Sequence, residues 1–218
     1  MMIRLENVNV VKQDTYILRD INLTIGRGDK MLLKGESGSG KSTLVKSLLV
    51  FEHFQGRLLF NNEAVSRENL CQYRRQSGYV SQALPNFNEK VSDFLQIPYT
   101  FKANKTLAFD WEKMLDFLKK LNFTEAVLGK NFPELSGGEK QRLVILQMLL
   151  LDKPIYILDE VTSALDKKNI LAAVSLITAD KDKTIISISH NEEWEGFCTR
   201  AVHLDKGTIV KDYSLREN

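Results

Sequence analysis

The stretch Gly35-Glu36-Ser37-Gly38-Ser39-Gly40-Lys41-Ser42, followed by Thr43, decides the fold. It fits G-x-x-x-x-G-K-[ST], a loop whose glycines let successive backbone N–H groups turn toward phosphate oxygens. Lys41 can reach the β- and γ-phosphates, and the Ser42 hydroxyl can ligate Mg²⁺. Context separates this from a chance glycine turn. Met31-Leu32-Leu33 upstream reads as a strand, and from Lys41 onward Leu44, Val45, Leu48 and Leu49 line one face of a helix. Strand, glycine loop and helix in that order aim the positive end of the helix at the bound anion.

Outward from the loop, Ile3, Leu5, Val8 and Val10, then Ile21, Leu23 and Ile25, alternate as antiparallel strands do. Further strands are expected at Arg57 to Phe60 and Gly78 to Ser81. Nine of the chain's nineteen aromatic residues fall between Phe87 and Phe132. Within that segment Trp111, Met114, Leu115, Leu118 and Leu121 keep helical spacing, which predicts a helical insert. Trp111, Leu115 and Leu118 are expected in its core, and Phe87, Phe94 and Tyr99 at a contact surface. Leu143 to Leu151 reads as a buried helix. Ile155 to Leu158 and Thr184 to Ile188, separated by a helix over Lys167 to Thr178, read as strands of a parallel sheet covered on both faces. The expected fold class is therefore α/β: a P-loop NTPase core with a mainly parallel sheet, an N-terminal antiparallel β subdomain and a helical insert over about residues 86–135. The whole of residues 1–218 reads as one domain.

Composition narrows the function classes. With 218 residues, 43% hydrophobic and 27% charged, the chain can bury one substantial core. A formal net charge of +2 without a long basic block argues against nucleic acid as a partner. Cys71 and Cys198 lie far apart without CxxC spacing and read as reduced thiols. The opening residues Met1 to Glu6 interleave charges where a signal peptide needs an apolar run. Leu143 to Leu151 is too short to span a bilayer, which takes about 20 residues.

Two further stretches carry chemistry. Ile155-Tyr156-Ile157-Leu158-Asp159-Glu160 is an apolar strand ending in adjacent carboxylates. Alone such a pair is commonly a solvated turn. Downstream of a P-loop, Asp159 suits a Mg²⁺ site and Glu160 is placed to polarise an attacking water. Leu135-Ser136-Gly137-Gly138-Glu139-Lys140-Gln141-Arg142 is a second helix start, with Ser136 as N-cap and two glycines leaving N–H groups open to an anion.

That second start resembles the signature sequence of ABC-type ATPases, and other motifs of the family follow in register from about Ile3 to Val210. The resemblance implies that Gln82 touches Mg²⁺ and water and joins core to insert. It implies that Ser163-Ala164-Leu165-Asp166 lies across a dimer interface and that His190 bonds the γ-phosphate. The implied catalytic set is Glu160, His190, Gln82 and Lys41, with Mg²⁺ held by Ser42, Gln82 and Asp159. ATP would be clamped between the loop from Gly35 to Thr43 of one copy and Ser136, Gly137, Gly138 and Glu139 of the other, in a head-to-tail homodimer docked on a separate transmembrane permease. The chain would then sit peripherally on the cytoplasmic face of the membrane. The wording of its motifs looks most like bacterial ATPase subunits of the iron-export type. The alternatives are a soluble ABC-type ATPase outside transport and a nucleotide-regulated binding module.

Two departures from the family pattern stand out. Lys12 occupies the position where the family stacks an aromatic ring on adenine, six residues before Leu18, and Tyr16 is the nearest ring. Glu139 stands where many members have glutamine.

Overall fold

The computed structural model describes residues 2–215, so Met1 and residues 216–218 lie outside it. The chain opens with β1 (Ile3–Lys12) and β2 (Thr15–Ile25), paired antiparallel in the register Ile3–Ile25 and Leu5–Leu23. Next come β3 (Lys30–Lys34), α1 (Lys41–Leu48), β4 (Gln55–Phe60), β5 (Glu63–Ala64), α2 (Leu70–Arg74) and β6 (Ser77–Val80). The insert follows, with α3 (Val91–Thr100), α4 (Trp111–Lys120) and three short 3-10 turns. The C-terminal part holds α5 (Gly137–Leu150), β7 (Ile155–Asp159), α6 (Lys167–Thr178), β8 (Thr184–Ile188), β9 (Arg200–Asp205) and β10 (Thr208–Ser214).

Two sheets result. One has the order β2-β1-β4-β5 and is antiparallel; the other has the order β10-β9-β3-β8-β7-β6. In the second, β9, β3, β8, β7 and β6 run parallel, and β10 turns back antiparallel on β9. Parallel strands need both faces covered, and β7 and β8 are buried at every residue. Strand alternation divides the core in two. Met31, Leu33, Ile155, Ile157, Ile186 and Ile188 face α1 and the antiparallel sheet. Leu32, Tyr156, Leu158 and Ile185 face α5, α6 and the insert.

The insert's aromatics pack differently from expectation. Phe94 is only 3% exposed, its ring 4.5 Å from Phe132 and 5.6 Å from Phe87. Tyr99 donates its hydroxyl to Leu150 O at 3.0 Å. These rings tie the insert to α5, so Phe94 is core and not a contact surface. Trp111 goes the other way: as the first residue of α4 it sits 49% exposed, while Met114 and Leu118 one turn later carry the buried face. Among the described residues, no helix is long and apolar enough to cross a membrane.

Candidate active site

The loop from Gly35 to Gly40 joins β3 to α1, and its shape requires glycine at two places. Gly35 has φ 144°, and a Cβ there would lie 2.2 Å from Leu204 O. Gly40, the N-cap of α1, has φ 103°, and a Cβ would meet Ile17 O at 2.9 Å. No other residue tolerates both the positive φ and the contact. The loop thus lies tight against β2 and β9, with the start of α1 facing a hollow of about 580 Å³.

The side chains of that hollow come from five separated segments. Ser37, Lys41, Ser42 and Thr43 come from the loop and helix, Ile17 from β2, Gln82 from the segment after β6, Glu160 from the end of β7 and His190 from the end of β8. Gln82 donates Nε2–H to Glu160 Oε2 at 2.8 Å, and His190 Nε2 is 3.6 Å from Glu160 Oε1. Ser42 donates its hydroxyl to Asp159 Oδ1 at 3.2 Å. The Lys41 ammonium donates to the carbonyls of Gly35 and Glu36, both at 2.8 Å. Glu160 has φ 53°, a left-handed conformation uncommon outside glycine, which turns its carboxylate out of the strand direction.

Electrostatics reinforce this geometry. Burial, with the neighbouring Glu160 adding to it, pushes the Asp159 carboxyl above its ordinary range, against the Ser42 hydrogen bond and the charges of Lys46 and Lys41. Burial also lowers Lys41, opposed by Glu160 and Asp159. A buried carboxylate and a buried ammonium are each held at a cost here, and each gains from a counter-charged ligand.

The family profile for ABC transporters matches residues 18–163, two thirds of the chain. The chain belongs to the ABC transporter family. It is an ABC ATPase, an enzyme that binds and hydrolyses ATP. The probable iron export ATP-binding protein FetA of Escherichia coli (strain K12) is 33% identical over 196 residues, 88% of this chain and 86% of FetA. The ATP-dependent lipid A-core flippase of Hahella chejuensis (strain KCTC 2396) is 36% identical over 208 residues, 92% of this chain and 35% of the flippase, so the chain spans about a third of that protein. A solved dimeric bacterial ABC transporter cassette superposes with a TM-score of 0.85 at 26% identity, covering 99% of this chain and 100% of that one.

Not every residue named from the sequence gathers at this ABC ATPase hollow. Gly35 and Glu36 line an adjoining hollow with Ser189, His190 and His203, and Ser39 is buried inside the loop. Tyr16 does not line the hollow at the start of α1. It is 50% exposed with the Arg19 guanidinium 4.9 Å from its ring centre, and its strand neighbour Ile17 takes the inward place. Ser136 to Glu139 also line none of it. Ser136 caps α5 there, its hydroxyl oxygen accepting from Glu139 N at 3.3 Å, and both Ser136 and Gly137 are exposed.

Other contacts join residues whose partners the sequence does not reveal, Gln141 of the Leu135–Arg142 stretch among them. Gln141, 5% exposed, donates to Ser163 Oγ at 3.1 Å and accepts from Ala164 N at 3.0 Å, so α5 holds the Ser163–Asp166 loop. Behind Glu160 and His190, Trp194 Nε1 donates to Thr162 Oγ1, which donates to Asn191 Oδ1, both at 3.1 Å. A buried glutamine in a helix and a fully buried tryptophan after a strand are pattern-free signals, legible only through their partners.

Proposed function

We propose that this ATPase works as a head-to-tail pair of copies driving a separate membrane subunit. The observation that carries the pairing is a division of parts. Lys41, Ser42, Gln82, Glu160 and His190 line one hollow, while Ser136 to Glu139, the second helix start suited to an anion, contribute nothing to it and leave Ser136 and Gly137 exposed. An inverted second copy supplies the missing half to each hollow. The dimeric state of the matched cassette supports this reading.

In the reaction, N–H groups of the loop and the start of α1 receive the phosphates. Lys41 exchanges its two loop carbonyls for phosphate oxygens. Glu160 accepts a proton from the attacking water as its oxygen bonds to the γ-phosphorus and the bond to ADP breaks. The Gln82 amide holds Oε2 of Glu160, so the carboxylate keeps one orientation while Oε1 remains for water. In this reading His190, which lines the same hollow, bonds the γ-phosphate. The residues fit Mg²⁺, because a buried Asp159 carboxylate, the Ser42 hydroxyl and the Gln82 side chain are hard oxygen donors. Bound there, the ion would spread the charge of the phosphates.

In this reading the chain sits peripherally on the cytoplasmic face of the membrane and drives a separate transmembrane partner, a placement supported by its membership of the ABC transporter family. The insert of about residues 86–135 is the docking part in this reading. FetA supports a metal ion such as iron as cargo. Size-exclusion chromatography with light scattering tests the pairing. Glu160→Gln should form dimers with ATP and none with ADP, and adding Ser136→Arg should abolish them. A Glu160→Gln chain that stays monomeric in saturating ATP would overturn the shared site.

A further inference from the structure

Both donors of Ser136 converge on one atom. The Ser136 backbone N–H and the Ser136 hydroxyl each donate to Glu139 Oε2, both at 2.8 Å. These bonds hold the Glu139 carboxyl below the ordinary range, first through the backbone donor and then through the hydroxyl. Lys130 and Arg142 add smaller contributions in the same direction. A serine hydroxyl has one proton to give, so a hydroxyl bonded to Glu139 cannot also bond a phosphate.

On the shared-site reading above, this arrangement has a consequence. We propose that Glu139 is a positioning residue that opposes closure: its carboxylate occupies the Ser136 donors that the triphosphate held by the other copy must engage. Closing two copies is then a competition between two anions for one helix start. The incoming phosphates must displace the carboxylate from the hydroxyl and also approach its charge. Glutamine at the same position would keep an acceptor for the Ser136 N–H and remove the charge. The glutamate thereby raises the ATP occupancy needed before two copies pair, and helps them separate afterwards.

The test uses the full chain in a Glu160→Gln background, where ATP persists. The ATP concentration giving half-maximal dimer is measured by light scattering with Glu139, Glu139→Gln and Glu139→Ala, at low and high salt. Glu139→Gln should lower that concentration by at least roughly five- to tenfold, the scale of one like-charge contact fully screened by water. The gap should narrow in high salt, which screens charge and leaves neutral capping bonds unaltered. Glu139→Ala should lie on the same side as Glu139→Gln. Unchanged or weaker pairing of Glu139→Gln would overturn the proposal and leave Glu139 as a helix cap alone. Absence of an ATP-dependent dimer in the Glu160→Gln parent would instead overturn the shared-site reading, and this inference with it.

Discussion

Gln82 and Glu160, 78 residues apart, share a hydrogen bond in which the amide Nε2 donates to the carboxylate Oε2 at 2.8 Å. The bond links the segment leading into the insert to the carboxylate at the end of β7. Glu160→Gln should slow phosphate release by roughly 10²- to 10⁴-fold at saturating ATP, the usual contribution of a positioned base. Gln82→Ala should slow it less, since the carboxylate remains and only its orientation is freed. Wild-type turnover in Glu160→Gln would remove Glu160 from that role.

Base selectivity should be weak. Lys12 is paired with Glu52 at 2.7 Å, Tyr16 faces outward, and Ile17 is the apolar side chain lining the hollow. Forgoing an aromatic stack loses about 0.5–1.5 kcal/mol. GTP should then compete with ATP to within about tenfold, as read by titrating both nucleotides. A preference for ATP beyond roughly a hundredfold would show that another group reads the base.

Asp159→Asn should raise the melting temperature of the nucleotide-free chain at neutral pH while abolishing turnover. Because folding raises the Asp159 pKa, the folded state favours the protonated carboxyl. Its contribution is most favourable at acid pH and is lost as pH rises through the folded pKa. The gain from Asp159→Asn should accordingly shrink as pH falls into the ordinary carboxylate range. A thermal melt series across pH reads this, and a gain that grew on acidification would contradict the assigned cause.

Phe94 and Trp111 should respond oppositely to truncation. Phe94→Ala opens a cavity beside Phe132 and Phe87 and should cost roughly 3–5 kcal/mol in urea unfolding. Trp111→Ser, at a half-exposed helix start where the ring stacks edge-on against Phe109 at 4.8 Å, should cost only about 0.5–1.5 kcal/mol. If the insert docks the membrane subunit, Trp111→Ser should weaken co-purification while leaving ATPase activity of the isolated chain intact. Unfolding of Trp111→Ser would place that ring in the core after all.

The parts of the chain read correctly in advance are those where local spacing is itself the physics. The turn from β3 into α1 is legible because Gly35 and Gly40 take positive φ where the loop packs against Leu204 and Ile17, which only glycine allows. The helix over Lys167 to Thr178 follows from a 3.6-residue apolar period behind the Asp166 cap, and Asp166 accepts from Asn169 N at 2.9 Å. Strands β7 and β8 are legible because burial on both faces demands uninterrupted apolar residues.

What spacing could not supply is which side chains meet across the fold. Trp111 keeps the helical period of its buried neighbours yet lies half exposed, because the helix starts there and only the Phe109 ring, 4.8 Å away, stacks edge-on against it. Ile17, and not Tyr16, lines the hollow at the start of α1, since adjacent strand residues face opposite ways and the position of β2 against Gly40 selects which is inward. The Gln141 bonds to Ser163 and Ala164 and the Glu160 contacts with Gln82 and His190 join residues distant in sequence. Sequence alone determined the chemistry this protein carries. Only the packing of the sheet against α1, α5 and the insert decided where each group points, because those distances depend on how whole elements fit together and on no residue's own preference.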